Sequence, residues 1–301
     1  MSVGDLIGRA FRFWRLHIPL IMQVLLWPTV ISIAGKIGIQ WGITLFARKD
    51  FSIWPAAALA IGAGFIITIV TAFLLILRNI ALIRLCNGFA DDFKEAYEYV
   101  RTRSGTLIGL VVLGTILISG VMLLWIGELV IAAVLFRPGT ALVFVMAFAM
   151  WIGLVGVILS AIMYWAIGAV VMSAMACEEK GIGALIGRGF SLTFNDFGRS
   201  LFFAILLIVT VYSLHYPLSL PAICVTVFEL FRHGVSSANS NPMHMPLYVL
   251  VFTEAWESIV NMFIWPVTWL AFGQFYYDLR IRQEGLDVLQ TLNQIEKVGA
   301  A

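Results

Sequence analysis

The chain alternates long apolar stretches with short polar ones. Six apolar stretches follow one another, at about residues 18–46, 55–83, 106–136, 141–176, 200–228 and 247–277. Each is longer than the roughly 20 residues that a helix needs to cross about 30 Å of hydrocarbon. A closed β-barrel would instead show alternating segments of about ten residues, a pattern that this sequence lacks. The pattern therefore predicts an all-α integral membrane protein with six transmembrane helices.

Short amphipathic stretches precede three of these spans. The segments GDLIGRAF (4–11) and GALIGRGF (183–190) share six of eight letters. Placing Phe11, Tyr97 and Phe190 in register aligns apolar residues at positions i, i+3, i+4 and i+7, which share one face of a helix. The sequence therefore predicts three parallel repeats of an amphipathic surface helix plus a helical hairpin, with a period of 86 to 93 residues.

This repeat predicts the domain organisation. We expect a single membrane domain over residues 1–301, with repeat units at approximately 4–88, 89–181 and 182–285. Residues 286–301 would then form a short cytoplasmic C-terminal helix or tail.

Two glycine pairs have a spacing that is typical of close helix contacts. Gly4 and Gly8, like Gly183 and Gly187, are four residues apart. This GxxxG spacing lets the backbone of another helix come near. A crowded turn into the helix would explain the same glycines equally well.

The charged residues predict the orientation. The chain is 61% hydrophobic and 12% charged, whereas soluble proteins are about a quarter charged. Of 19 Lys and Arg residues, all but five fall on the side that holds both termini, and the five are Lys36, Arg48, Lys49, Arg137 and Arg232. The positive-inside rule therefore predicts cytoplasmic N- and C-termini. Because the basic residues flank every span, they indicate contact with lipid headgroups and no nucleic acid.

The end of the sixth span carries a family resemblance. Residues 272–287 read FGQFYYDLRIRQEGLD, with an aromatic pair, an Asp, Arg-x-Arg and Glu-Gly. This segment resembles the membrane domain of the bacterial glycerophosphoryl diester phosphodiesterase family, and the GxLIGRxF segments are similar to its repeats. In that family a soluble (β/α)-barrel performs the hydrolysis. Only 16 residues follow Gly285 here, so the resemblance implies a stand-alone, six-span relative without the catalytic barrel, in the bacterial inner membrane.

Ionisable residues near lipid are the first place to seek a functional site. We count one hydrocarbon thickness along each span from its cytoplasmic end. Six ionisable residues then fall at or just beyond the outer interface: Lys36, Glu128, Glu229, Arg232, Glu254 and Glu257. One hypothesis is an outer polar cluster that binds a cationic or zwitterionic headgroup or relays protons. The alternative is a set of interfacial ion pairs that hold extended helices together.

A second group of charges lies at the inner mouth of the spans. Its members are Arg78, Arg84, Asp278, Arg280 and Arg282. They form a candidate cluster that pairs internally or binds a lipid phosphate. Topology anchoring also explains the arginines. Asp278 gains little from anionic headgroups, so we expect it to have a specific partner such as Arg78 or Arg84.

His215 is the candidate polar residue in the middle of a span. It precedes Pro217 and Pro221 in the stretch HYPLSLP, which predicts an interrupted helix. We expect its imidazole to bond a carbonyl that the prolines leave without a donor. A substrate site on an interrupted helix is the alternative. Because no other histidine lies at similar depth, we expect no haem, and the sequence predicts no other cofactor.

The sequence contains no nucleotide-binding, zinc or serine-hydrolase motif, so we expect no enzymatic activity. The architecture favours a scaffold, assembly factor or accessory subunit of a bacterial membrane complex. Its expected partners are membrane lipids and either another membrane protein or further copies of the chain. The alternative is a transporter or lipid-handling protein that uses a cavity between the three hairpins. A wet central cavity that reaches Glu254, Glu257 and His215 from one side would favour this alternative, and a dry, packed centre with an exposed flat face would favour the scaffold.

Overall fold

The computed structural model describes residues 2–47, 52–135, 143–232 and 246–285. These residues form α-helices and no strand, which confirms the predicted all-α fold. The helices are α1 Val3–Leu16, α2 Ile18–Ala47, α3 Trp54–Cys86, α4 Phe93–Thr102, α5 Ser104–Leu135, α6 Val143–Cys177, α7 Ile182–Asn195, α8 Phe197–Arg232 and α9 Leu247–Glu284. The predicted C-terminal helix or tail at 286–301 lies outside the described residues.

Six of these helices are long and apolar enough to cross a membrane. They are α2, α3, α5, α6, α8 and α9. Their apolar residues run around the whole helix, as expected for segments whose surroundings are lipid on several sides. The chain is therefore a multi-pass integral membrane protein, as the apolar pattern predicts.

The interruption predicted in α8 is wrong. Pro217 and Pro221 both lie inside a helix that continues from Phe197 to Arg232. A proline in a helix removes one backbone donor but still permits continuation when neighbouring groups take up the freed carbonyls. Near this point Trp256 Nε1 donates to the Leu218 carbonyl over 2.7 Å.

The remaining three helices are short, and each leads into a long one through a single residue. The junction residues are His17, Arg103 and Asp196. They are 86 and 93 residues apart, which are the spacings of the predicted repeat. In chain order, one short helix followed by two long ones occurs three times among the described residues. The spatial equivalence of the three repeats stays a prediction.

Each short helix buries a small residue at the same repeat position. These residues are Ala10, Ala96 and Gly189. At Gly189 an added Cβ would overlap the Val171 side chain of α6, so only glycine fits this approach of α7 to α6. By contrast Phe190, the next residue, is 38% exposed. The small residue at this position therefore sets how closely the short helix approaches its neighbour.

The chain divides into two compact units. The first comprises Met1–Ile7, Ile83–Leu207 and the chain from Phe272. An aromatic cluster lies in its core, where the Phe203 and Phe275 rings stack with centroids 4.1 Å apart. Phe272 makes edge contacts with Phe203 and Trp165. These contacts join α6, α8 and the end of α9 within the unit.

The second unit comprises Gly8–Leu82 and Ile208–Ala271. Its helices α2 and α3 approach closely through glycines. A Cβ added to Gly64 would lie 2.5 Å from the Gly35 carbonyl oxygen, and one added to Gly35 would lie 2.8 Å from Thr68 Oγ1. Small residues at such positions let two membrane helices gain backbone contacts that larger side chains prevent.

The glycines of the two predicted GxxxG pairs make no close contact with another helix among the described residues. A Cβ added to Gly8, Gly183 or Gly187 would meet no atom within 4 Å. At Gly4 it would meet only the Ser2 hydroxyl oxygen, at 4.0 Å. Close glycine contacts occur elsewhere, for example in the hairpin of α2 and α3 and at Gly189.

Candidate functional site

The second unit contains a groove among its described residues. It has a volume of about 390 Å³ and lies between α2, α3 and α9. This volume falls within the range of roughly 300–1,000 Å³ that is common for small-molecule sites. We call it the α2–α3–α9 groove, and its lining residues are Leu25, Thr29, Ser32, Lys36, Thr68, Ala72, Leu75, Ile76, Asn79, Ser258, Asn261, Met262, Trp265, Pro266 and Trp269.

The floor of the groove is α2 and its two edges are α3 and α9. The floor residues Leu25 and Thr29 are buried. On the edges, Ala72 of α3 is exposed and Trp265 of α9 is 47% exposed. Because these exposed edges lie on membrane-spanning helices, the groove is accessible from the apolar surroundings of the unit.

The register of α2 against α3 gives the groove its length. Gly35 lies against Thr68, and the Arg78 guanidinium donates to the Val24 carbonyl, so the two helices run antiparallel. The lining residues of α2 extend from Leu25 to Lys36, which is eleven residue-to-residue steps along the helix. At 1.5 Å per residue the groove is about 16 Å long.

Lys36 lines one end of the groove and is paired with Glu254, which lies beside the lining residues. Lys36 Nζ lies 3.3 Å from Glu254 Oε2 and also donates to Ser258 Oγ over 3.3 Å. The two charged side chains are 33% and 25% exposed. They are therefore partly shielded from their surroundings yet still reachable by a ligand. We call this the Lys36–Glu254 end of the groove.

The other residues of the predicted outer cluster are placed differently. On α8 in the same unit, Arg232 Nη1 lies 3.8 Å from Glu229 Oε1, one turn away. Glu257 is exposed. Glu128 belongs to the first unit, where its Oε2 is buried without a hydrogen-bond partner among the described residues. The structure thus joins Lys36 to Glu254 directly and gives the remaining members other surroundings.

The opposite end of the groove holds a buried amide. Asn79 is 5% exposed, and its Nδ2 donates to the Leu75 carbonyl of its own helix over 2.8 Å. This bond fixes which amide atom is the nitrogen, because the reverse orientation would set two oxygens against each other. Asn79 Oδ1 is buried and accepts no hydrogen bond from the described residues. Nothing in the sequence singles out this asparagine within its apolar span.

The predicted partner of His215 is not the one that the structure gives. Its Nδ1 lies 3.2 Å from the hydroxyl oxygen of Ser219, one turn further along α8, rather than against a freed carbonyl. The Tyr212 ring lies beside the imidazole with centroids 6.4 Å apart. Since α8 is continuous here, His215 marks no helix break.

Asp278 has partners in the first unit, and they differ in part from the expected ones. Its Oδ2 accepts from Arg199 Nη2 over 2.7 Å and from Arg282 Nε over 3.1 Å. The pairing with Arg282 joins two members of the predicted inner cluster. Arg199, in the first turn of α8, was not predicted to take part.

The two arginines that were expected to pair with Asp278 make other contacts. Arg84 donates to the Ala176 carbonyl over 2.8 Å and lies over the Tyr99 ring, 3.6 Å from its centroid. Arg78 lies in the second unit and donates to a carbonyl of α2. Arg84 thus helps to satisfy the last carbonyls of α6, which have no donor within their own helix.

Arg103, the junction residue between α4 and α5, completes this cap. It donates to the carbonyls of Met175 at 2.9 Å, Glu178 at 2.5 Å and Lys180 at 2.6 Å. Two guanidinium groups therefore hold the end of α6 and the turn that follows. A cation at a helix C-terminus also interacts favourably with the helix dipole.

A buried carboxylate that sequence reasoning missed lies beside this cap. Glu178 Oε1 accepts from the Tyr276 hydroxyl and from Arg188 Nε and Nη2, both at 3.1 Å. Arg280 Nε lies 3.4 Å from the same oxygen, and Lys180 Nζ lies 2.8 Å from Oε2. Glu284 pairs with both Arg188 and Arg280. We call these residues the Glu178 network.

The electrostatics of the Glu178 network keep its carboxylate ionised. Burial by itself would raise the pKa of Glu178, but the hydrogen bonds from Lys180 and Tyr276 and the charges of Arg188 and Arg280 outweigh it and lower the pKa. Burial likewise opposes the charge of Arg188, yet Glu178 and Glu284 raise its pKa. A carboxylate with a lowered pKa is a poor proton carrier at neutral pH, which favours a structural role. Its ion pairs with Arg188 and Arg280 join the end of α6 to α7 and α9.

The sequence did contain a signal for Glu178. The residue directly follows the apolar span that ends at Cys177, on the side that the positive-inside rule predicts to be cytoplasmic, where anionic headgroups would disfavour a carboxylate. The argument that singled out Asp278 therefore applies to Glu178 as well. Its partners Arg188 and Arg280 lie on separate helices, which no spacing in the sequence reveals.

Comparison with protein-family models, with curated proteins and with solved structures gave no match. The resemblance of residues 272–287 to the phosphodiesterase membrane domain stays a prediction. In the described ranges no group of three or more His, Cys, Asp or Glu side chains is arranged to hold a metal ion.

Proposed function

We propose that this protein is a non-enzymatic, lipid-handling protein of the bacterial inner membrane, with both termini in the cytoplasm. Its site is the α2–α3–α9 groove, which holds one amphiphile. The observation that carries this proposal is the groove itself, an apolar channel with exposed edges that ends at the Lys36–Glu254 pair. This groove differs from the central cavity between the three hairpins that the sequence-based alternative requires, because His215 and Glu257 do not line it. It supports a lipid-handling role within the second unit, in place of the scaffold that the sequence favours.

The apolar part of the groove suits an acyl chain. Leu25, Leu75, Ile76 and Met262 line it, and Trp269 adds an aromatic surface. Within a bilayer the tail gains little from leaving other tails, so its binding depends on van der Waals contact with these side chains. Specificity must then come from the polar groups at the ends.

The Lys36–Glu254 end suits a headgroup that carries both charges. Phosphate would bind the Lys36 ammonium and a ligand amine would bind the Glu254 carboxylate, with the Ser258 hydroxyl as a further partner. A purely anionic headgroup would meet Glu254, and a purely cationic one would meet Lys36. The proposed ligand class is therefore a zwitterionic, net-neutral amphiphile.

Filling the groove tests this proposal. In the Ala72→Phe variant a large ring replaces an exposed lining residue, whereas in the Ala58→Phe control the same ring is added to an exposed position of α3 outside the groove. Both proteins are purified in a mild detergent, and retained lipids are identified by native mass spectrometry. We expect about one zwitterionic lipid per wild-type chain, retention in the control and loss in Ala72→Phe. Equal lipid retention in all three proteins would contradict the proposal.

A scaffold or assembly role is the second candidate, and one observation favours it. In α7 the glycines at 183 and 187 form a small, exposed strip that could accept another membrane helix. Purification from native membranes distinguishes the two functions. A stoichiometric protein companion that Gly183→Leu displaces would support the scaffold, and a lipid without such a companion would support the groove.

A further inference from the structure

A second polar level of the groove lies about one helical turn inside the Lys36–Glu254 end. Lys36 of α2 donates to Ser258 of α9, and from this contact the lining continues toward lower residue numbers on α2 and toward higher ones on α9. Ser32 is four positions from Lys36, and Asn261 is three positions from Ser258. At 1.5 Å per residue these steps are about 6 Å and about 4.5 Å. Ser32 and Asn261 therefore line the groove at nearly the same level.

The side chains at this level have hydrogen-bonding capacity that the protein leaves unused. Neither the Ser32 hydroxyl nor the Asn261 amide makes a hydrogen bond with the part of the chain that the structure describes. Asn261 is partly exposed, and the protein encloses neither of its amide atoms. By contrast, the lining hydroxyls of Thr29 and Thr68 donate to carbonyls of their own helices, both over 2.8 Å. The groove thus offers an occupant an accessible amide, with a hydroxyl at the same level.

Asn261 belongs to a membrane-spanning helix, where an amide without a partner is unfavourable. It is seven positions further along α9 than Glu254, about 10 Å toward the middle of the helix. Hydrocarbon offers no donor or acceptor, so an amide there loses the hydrogen bonds that water would provide. An occupant with a polar group at this level would restore them.

We infer that the groove selects an amphiphile whose chain is joined to its headgroup through an ester or amide carbonyl, and this inference rests on the proposed function. A carbonyl oxygen has two lone pairs, so it can accept both from Asn261 Nδ2 and from the Ser32 hydroxyl. An amide-linked chain would in addition donate its N–H to Asn261 Oδ1. An ether-linked chain has no carbonyl to offer either donor.

The spacing of the polar groups in a glycerophospholipid agrees with this assignment. About nine covalent bonds separate the headgroup amine from an acyl carbonyl, which at about 1.2 Å of extension per bond corresponds to roughly 11 Å. The proposed partner of the amine is Glu254, and Asn261 lies about 10 Å from it along α9. A lipid whose amine contacts Glu254 therefore brings its carbonyl to the level of Asn261.

A matched pair of probes tests this inference directly. Palmitoyl lysophosphatidylcholine and its O-hexadecyl ether analogue share the headgroup, the glycerol and the chain length, and they differ only in the carbonyl. The purified full-length protein is incubated in a maltoside detergent with an equimolar mixture of the two. Native mass spectrometry resolves the bound probes by mass. We expect the wild-type protein to hold the ester about fivefold more often than the ether, the factor that one net hydrogen bond supplies.

Two variants assign the preference to the Asn261 amide. Asn261→Leu keeps the approximate side-chain volume and removes the amide, so we expect it to bind ester and ether equally. Asn79→Leu is the control, because it makes the same change in the lining of the same groove at an amide whose oxygen the protein encloses. It should retain the preference for the ester. A preference that persists in Asn261→Leu, or that both variants lose, would contradict the role of Asn261.

The wild-type measurement separates the two proposals, whether or not the variants fold. Equal binding of ester and ether would overturn the inference about the linkage and would leave the lipid-binding groove in place. Binding of neither probe, or binding that Ala72→Phe leaves unchanged, would overturn the proposed function itself.

Discussion

Lys36 on α2 and Glu254 on α9 form an ion pair, with 3.3 Å between Nζ and Oε2, at one end of the α2–α3–α9 groove. The pair presents opposite charges side by side. Its removal therefore provides a test of headgroup selectivity that leaves the apolar part of the groove intact.

Neutralising one partner should change which headgroup is retained. Glu254→Gln leaves the Lys36 ammonium without a carboxylate, so anionic lipids should increase severalfold relative to zwitterionic ones among the co-purified lipids. Lys36→Gln should reduce anionic lipid instead. The control is Glu257→Gln, one turn along α9 at an exposed position. Quantitative lipid mass spectrometry is the measurement, and an unchanged headgroup ratio in Glu254→Gln would exclude the assigned role of the pair.

Loss of the buried carboxylate of Glu178 should destabilise the protein. Glu178→Gln leaves Arg188 and Arg280 with one anionic partner instead of two and weakens the bond from Tyr276. We expect a loss of about 2–3 kcal/mol, seen as a lower thermal midpoint in detergent. Glu179→Gln is the matched control because the neighbouring Glu179 is exposed. Equal midpoints for the two variants would show that the network contributes no stability.

The same carboxylate predicts how stability depends on pH. Folding lowers the pKa of Glu178 below its ordinary value of 4.5. The ionised group therefore stabilises the folded state fully above pH 4.5, and this contribution is lost as the pH falls through the lowered pKa. The difference in thermal midpoint between wild type and Glu178→Gln should be constant near neutral pH and narrow in acid. A difference that grows in acid would contradict the sign of the shift.

The contact between α2 and α3 predicts two different outcomes for two glycines on one helix. Gly64→Val would place side-chain atoms against the Gly35 carbonyl, so we expect a loss of about 1–3 kcal/mol from overpacking. Gly62→Val adds the same side chain where no atom lies within 4 Å and should be nearly neutral. Thermal unfolding of both variants in the same detergent is the measurement. A similar loss in both would point to helix propensity rather than packing.

Reporter fusions test the predicted orientation. A green fluorescent protein at the C-terminus should fluoresce, because the positive-inside rule places that end in the cytoplasm. Alkaline phosphatase inserted between residues 136 and 142, in the connection from α5 to α6, should be active. The reverse result for either reporter would show that the orientation is wrong.

The candidate site was predicted only in part from the sequence. Lys36 and Glu254 were assigned to one layer because both lie a bilayer thickness from a cytoplasmic helix end, and the structure pairs them. The same depth argument also selected Glu128, which belongs to the other unit. Depth along a span is readable from the sequence, but the direction in which a side chain faces is not. Asp278 was singled out because a carboxylate near anionic headgroups needs a specific partner, and its partner Arg199 was missed.

Asn79 shows a second limit of sequence reasoning. It lies within an apolar span, and an isolated asparagine there is compatible with many surroundings. Its importance depends on which helices lie beside it and on whether one of them supplies a donor. Both follow only from the packing of α2, α3 and α9.

The sequence by itself determined the number of spans and the short amphipathic helix before each hairpin. These features depend on local composition and on the thickness of a bilayer, which act within one segment at a time. The tertiary structure alone decided the glycine contacts, the groove and the Glu178 network. A helix that is apolar on every side carries no preferred face, so its rotation and its neighbours are set by contacts between residues far apart in the chain, such as Lys36 and Ser258, 222 residues apart.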